Sequence, residues 1–187
     1  SPSRVGAEGY LYNSDITSKE VAQSNFLELF DVEVTAHLNF SNYVAQNPIV
    51  DERIFLNGNR LFFVEPMEAG ALQAYLEWTR YSFDAIMNQR TKEDAVKGIK
   101  TYIQRLQNFI LWHYQFGSKY DTPFWDYAKT LTFDDEYFNV ILNGSREMNW
   151  ENIMPSKYGG MVDANYSYWQ PLSFKYWDDG MTRQLEE

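Results

Sequence analysis

Glu65 and Glu68 mark the place in this sequence where anion binding and proton transfer could share a site. They belong to the stretch Phe63-Val64-Glu65-Pro66-Met67-Glu68-Ala69-Gly70-Ala71, which follows the short apolar run Ile54-Phe55-Leu56 and the pair Gly58-Asn59. An apolar run of that length reads as a buried strand, and from Pro66 onward the apolar positions recur with a helical period. The order is therefore strand, glycine turn, helix start. The first turn of a helix carries backbone N–H groups without intrahelical partners, together with the positive end of the dipole, so it can hold an anion. A carboxylate beside it adds a proton acceptor. Acids also favour first helical turns simply because of the dipole, and this stretch alone leaves both readings open.

The other reactive residue types narrow the chemistry. His37 and His113 have no metal-ligating spacing, and no H-E-x-x-H occurs. His113 falls on an apolar helical stripe and reads as a core histidine. There is no cysteine, hence no disulfide and no thiol nucleophile, and no G-x-S-x-G elbow for hydrolysis. A net charge of −10 argues against nucleic acid and anionic membrane surfaces as partners. No apolar run reaches membrane-spanning length, and the absence of cysteine fits a reducing, cytoplasmic setting. Six Trp, fourteen Tyr and thirteen Phe are enough for a large aromatic core, an interface or a pocket for a flat ligand.

The elements that must position these groups follow from periodicity and caps. Gly9 to Asn13 and Val32 to Phe40 alternate as strands do. Thr17 and Glu20 form a T-x-x-E capping box for a short helix reaching about Phe30. Asn47-Pro48 turns the chain before an extended piece from Arg53 to Asn57. A helix from Pro66 to about Asn88 sets Leu72, Tyr75, Leu76, Phe83, Ile86 and Met87 on one stripe. A second, from 92 to 116, opens with Thr91 and Asp94 and carries Val96, Ile99, Tyr102, Ile103, Leu106, Phe109, Ile110, His113 and Tyr114. A tight turn at Gln89 to Thr91 makes the two antiparallel neighbours with these stripes facing. Gly117 stops the second helix, Thr122 and Pro123 start the next as N-cap and N1, and that one ends before Thr132. A further helix spans about Asp134 to Leu142 and ends at Asn143-Gly144. Residues 145–187 read as an irregular aromatic wrap. The fold class is α+β, mostly helical with a few strands.

Three segments together resemble the flavin-dependent tryptophan halogenase family. Gly58-Asn59 followed by Phe63-Val64-Glu65-Pro66-Met67-Glu68 is similar to the family's G-N-x-x-x-F-[IVL]-E-P-L-E. Phe109-Ile110-Leu111-Trp112-His113-Tyr114, then Asp121-Thr122-Pro123-Phe124-Trp125, is similar to F-I-x-x-H-Y … D-x-P-F-W. Gly9-Tyr10-Leu11-Tyr12-Asn13-Ser14 with Ser18-Lys19-Glu20-Val21-Ala22 is a weaker match to G-Y-[VI]-[YF]-S-S … S-D-E-E-A. They occur in the family's order at roughly its spacing, across residues 9 to 127, and the likeness fades beyond about residue 130.

The resemblance implies the C-terminal, substrate-side portion of a flavin-monooxygenase-like halogenase fold. Residues 1–65 would be a strand-rich remainder of the flavin-binding domain, and 66–187 a helical, aromatic-rich substrate side. The G-x-G-x-x-G fingerprint, the family's lysine and its W-x-W-x-I-P motif are not in these 187 residues. The implied activity is halogenation of an indole-like aromatic by flavin-generated hypohalous acid, with Glu68 as the catalytic glutamate. Gly70 and Ala71 would hold halide through backbone N–H groups. Gly58, Asn59, Phe63 and Pro66 would contact FAD, which a flavin reductase supplies reduced. The missing N-terminal half, or self-association, would cover an exposed aromatic patch. Where the family reads E-S-T-G, this chain reads Glu68-Ala69-Gly70-Ala71, which keeps backbone donation and loses a hydroxyl relay. Arg60 and Phe62 replace small residues near the flavin, implying a crowded contact. They favour the alternative of a non-catalytic aromatic-rich binding or scaffold module descended from the fold. Trp125, Trp150, Trp169 and Trp177 are candidates to line an indole-sized pocket.

Overall fold

The computed structural model describes residues 8–65, 70–118, 122–148, 166–167 and 169–186, with 183–186 given by backbone alone. Helix dominates, as the periodicity predicts. Helix α1 (Lys19–Phe30) is capped by Ser18, whose Oγ accepts from the Val21 N–H at 3.3 Å, one residue later than the Thr17 box implies. It closes with Asp31 in the left-handed region at φ 49.

Neither long strand forms. Gly9–Asn13 and Val32–Phe40 run as irregular chain, because alternation becomes a strand only where another strand and a core receive it. Leu38 is 87% exposed, so its neighbourhood offers no such core. Among the described residues the strands are two-residue pieces in two antiparallel pairs. β1 (Tyr43–Val44) pairs with β4 (Phe62–Phe63), Tyr43 opposite Phe63. β2 (Ile49–Val50) pairs with β3 (Ile54–Phe55), Ile49 opposite Phe55. Asp51 and Glu52 carry φ 47 and 58 between β2 and β3, the primed-turn geometry that suits the twist of a hairpin.

α2 (Gly70–Ile86) and α3 (Lys92–Gln115) are antiparallel neighbours joined through a short turn, as expected. Thr91 caps α3 by accepting from the Asp94 N–H at 3.0 Å while its hydroxyl donates to the Asp94 carboxylate at 2.8 Å. The stripe predicted on α3 is its core face: Ile99, Tyr102, Ile103, Leu106, Phe109, Ile110 and His113 are all buried. The stripe predicted on α2 is not. Leu72, Leu76, Phe83, Ile86 and Met87 point outward and are each more than half exposed, and only Tyr75 of that set is half-buried. Its inner face is Gly70, Ala74, Trp78, Ser82 and Ala85. Small residues let the helix backbones approach, and one Trp fills the remaining space, donating its indole N–H to the Leu56 carbonyl. Gly70 is part of that approach: a Cβ there would lie 2.5 Å from Leu106 Cδ1.

α4 (Pro123–Thr130) begins after Thr122 with proline in its first turn, although the Thr122 side chain makes no capping bond. α5 (Glu136–Arg146) starts at Asp135, which accepts from the Phe138 N–H at 3.0 Å. It runs through Asn143-Gly144 rather than ending there. Buried Ile141, Leu142 and Ser145 extend its apolar face, and packing against a following helix outweighs the cost of one internal glycine. That helix, α6 (Pro171–Glu186), replaces the irregular wrap expected over part of 145–187. Asp178 on α6 accepts from Arg146 on α5 at 2.8 and 2.7 Å. Trp150 and the rest of 149–165 lie outside the described residues.

The core is an aromatic stack. Phe109 lies 3.8 Å from Trp169 ring to ring and also meets Trp112, His113 and Phe174, while Phe138 packs edge-on against Trp112, Tyr166 and Phe174. The same core takes in Leu61, Phe62 and Val64, so it continues across residue 65. At its edge, Asp135 accepts from Tyr166 at 2.6 Å and from Asn108 at 3.0 Å. Desolvation opposes its charge, but these donors and the Phe138 N–H hold its carboxyl below the ordinary range. No described helix is long and apolar enough to cross a membrane.

Candidate functional site

Pro66, Glu68 and Ala69 lie outside the described residues, and the structure gives the two ends that hold their segment. On the incoming side, Gly58 turns the chain at φ 58, a conformation that suits glycine. Asn57 accepts from the Gly58 N–H at 2.7 Å and donates to Thr79 Oγ1 on α2 at 3.2 Å. The Tyr75 hydroxyl reaches Asn59 Oδ1 at 3.1 Å and the Phe62 carbonyl at 3.2 Å, so α2 is stapled to the Gly58-Asn59 turn at two levels. Burial, with Tyr43 nearby, pushes the Tyr75 hydroxyl above its usual range and keeps it protonated as a donor. On the outgoing side, Gly70 is buried against Leu106 and Ala71 packs half-buried on the core.

Arg60 and Phe62 turn out to differ in kind. The Phe62 ring is fully buried, 5.0 Å from Tyr75, and so belongs to the core rather than to any contact outside it. Arg60 is exposed. Phe63 is half-buried with its ring edge-on to Phe40 at 5.1 Å. Around Gly58 the space is open: apart from its two chain neighbours, nothing lies within 4 Å of where a Cβ would stand.

Beside the last described residue of the incoming strand lies a cavity of about 260 Å³. Val64 and Glu65 form one wall, Ile110, Leu111 and Tyr114 of α3 a second, and Phe124 and Tyr127 of α4 a third. Asn13 closes it from the N-terminal segment, where its side chain accepts from the Asp15 N–H at 2.9 Å and its carbonyl from Ile16 and Thr17. Gln115 donates to the Leu131 carbonyl and so ties the end of α3 to the chain leaving α4. Burial, and then the Glu65 carboxylate, raise the Tyr114 hydroxyl above its ordinary range. The walls thus present one carboxylate (Glu65), two phenols (Tyr114 and Tyr127) and the side-chain amides of Asn13, Asn42 and Gln107 amid apolar and aromatic surface, a combination that holds a small amphipathic ring. At about 260 Å³ the volume falls just below the range of ligand pockets, which run from about 300 Å³ upward.

Each of the three motif segments reaches this cavity. Asn13 comes from the first, Val64 and Glu65 from the second, and Ile110, Leu111, Tyr114 and Phe124 from the third. Asn42, Gln107, Tyr127, Ala128 and Leu131 also line it, and no motif marks them. Helical spacing alone could have suggested Gln107, one turn before Leu111. The tryptophans fare differently. Trp169 is a buried core ring stacked on Phe109, and Trp177 is a half-buried ring that packs against the core 4.1 Å from His113. Trp125 is half-buried beside Tyr114 and Phe124, at the edge of the site.

His113 is a core residue, as its stripe predicts. It is buried, with Nδ1 2.6 Å from the Phe109 carbonyl, which fixes Nδ1 as the protonated nitrogen. Its Nε2 has no hydrogen-bond partner among the described residues, and burial holds the ring below its usual pKa. No cluster of three or more His, Asp or Glu that could hold a metal occurs among the described residues.

The sequence pattern of the tryptophan halogenase family matches residues 2–174. That is most of the 187 residues, and the chain belongs to the tryptophan halogenase family. The match continues past residue 130, where the short motifs thin out, and takes in α5 and the start of α6. No curated protein matches the chain.

Proposed function

We propose that this chain forms the substrate side of a flavin-dependent, halogenase-like oxidoreductase acting on an aromatic, indole-like molecule. The observation that carries the reading is the convergence of three separated motif segments on one aromatic-walled cavity at Glu65, three residues before Glu68. Gly58, Asn59, Phe63 and Pro66 would meet FAD, and the open backbone at Gly58 fits the approach of a flat group. Reduced FAD, delivered by a flavin reductase, would supply with oxygen the oxidising power that converts halide to hypohalous acid.

The chain's own residues would do the rest. Backbone N–H groups at Gly70 and Ala71 would hold halide at the start of α2, aided by the helix dipole. The cavity between Glu65 and Tyr114 would orient the ring and keep water away. The halogen then bonds to a ring carbon as its bond to oxygen breaks, the oxygen leaves as hydroxide, and the proton released from the ring C–H reaches that hydroxide by way of Glu68 to give water. The Glu68 carboxylate stabilises the cationic ring and takes that proton at an oxygen. The non-catalytic alternative drew on Arg60 and Phe62, and the burial of Phe62 removes half of that argument.

In protein that includes a flavin-binding region and is supplied with reductase and chloride, Glu68→Gln should lower halogenation by about a hundredfold or more. FAD affinity should stay within a few fold, measured by flavin fluorescence. Turnover equal to wild type would remove Glu68 from the mechanism. The 187 residues alone contain no phosphate-cradling G-x-G-x-x-G turn, and neither bound flavin nor turnover is expected from them.

A further inference from the structure

At the opposite end of the α2–α3 pair, around its connecting turn, a cleft of about 490 Å³ opens between Tyr81, Arg90, Lys97, Thr101 and Arg105. We propose that it binds a small molecule carrying more than one phosphate group. Three cations line it against a single acid, Asp94, in a chain whose net charge is −10. The Asp94 carboxylate already accepts from the Thr91 hydroxyl at 2.8 Å. Lys97 and Arg105 have no carboxylate at ion-pair distance among the described residues, and Arg90 reaches Asp84 only at 4.0 Å through Nε.

The arginines are also oriented before any ligand arrives. The Arg90 guanidinium lies over the Tyr81 ring at 4.5 Å, and Arg105 over Tyr137 at 4.5 Å and Tyr166 at 5.5 Å. Stacking fixes the plane of a guanidinium and leaves its edge N–H groups for bidentate contact with phosphate oxygens. Lys97, Thr101 and Arg105 stand at successive turns of α3, so the backbone positions that carry the outer two cations are about 12 Å apart along the axis. Two cationic side chains rooted two turns apart on one face, with Arg90 beside the turn, offer more donors than a single phosphate can use, and suit a ligand with more than one phosphate. The cleft volume lies within the range of small-molecule sites.

The test is calorimetric titration of the chain with pyrophosphate and, separately, with ADP at low ionic strength. Saturable binding of at least one probe, weakened by added salt, is expected. Tighter binding of ADP would place its ring on the cleft's aromatic wall, whereas equal affinities would assign the binding to the phosphates alone. Lys97→Gln, at an exposed position, should weaken the binding by about tenfold, and Arg105→Gln by a similar factor, with circular dichroism unchanged for Lys97→Gln. No saturation by either probe at millimolar concentration would overturn the proposal, as would Lys97→Gln affinity within twofold of wild type.

Discussion

The segment from residue 8 to residue 44 and the layer built by α3, α5 and α6 are both rich in large apolar residues, and they are held in opposite ways. In the first, α1 buries only Ala22 and Phe26, while Leu29, Leu38 and Phe40 remain exposed. In the second, Phe109, Trp112, Phe138, Trp169 and Phe174 enclose one another and leave almost no surface. Apolar content alone therefore did not decide which part became core. The decisive difference is a partner: α3, α5 and α6 each turn an apolar face into one shared cluster of rings, whereas an alternating segment needs a sheet to receive it.

The contrast is open to direct tests. Phe109→Ala should cost about 3–5 kcal/mol in urea unfolding, since Phe109 touches four other rings and the stack cannot collapse around the gap. A loss below about 1 kcal/mol would mean that the stack is loosely packed. An intermediate effect is expected from acid. Burial lowers the pKa of His113, so the unfolded chain takes up a proton that the folded chain resists. Stability is therefore complete above the ordinary histidine value of 6.5 and falls as pH drops below it, by at most about 1.4 kcal/mol per pH unit. Urea midpoints for wild type and His113→Gln at neutral and mildly acidic pH would check this, and the pH dependence should flatten in the variant. The smallest effect belongs to the other region: Leu38→Ser should change stability by less than about 0.5 kcal/mol, because Leu38 is 87% exposed.

The sequence was most legible where periodicity and caps agree. The α3 stripe, the Thr91 cap, the Pro123 start and the antiparallel pairing of α2 with α3 all follow from spacing. On α2 the same spacing misled, because it contains two stripes: the bulky one reads as core, but Gly70, Ala74, Ser82 and Ala85 let α3 come close and Trp78 fills the space. Small residues win a helix interface through distance, which a hydrophobic pattern does not display. α6 escaped notice because Lys175, Asp178 and Asp179 interrupt its apolar positions, although its Phe174 is fully buried and its Asp178 is anchored by Arg146. Of the candidate site, the motifs named the walls but not their meeting point. Tyr127 and Gln107 enter only through the crossing of α3 and α4.

The central claim is that the cavity between Glu65 and Tyr114 receives an aromatic ring. Titration with tryptophan or indole, followed by ligand-observed NMR on wild type and on Leu111→Trp, tests it most directly, since Leu111 is a half-buried wall residue whose enlargement fills the space. Saturable binding to wild type, lost in a Leu111→Trp variant of unchanged circular dichroism, is the predicted result. Equal binding to both proteins, or binding to neither, would contradict the account.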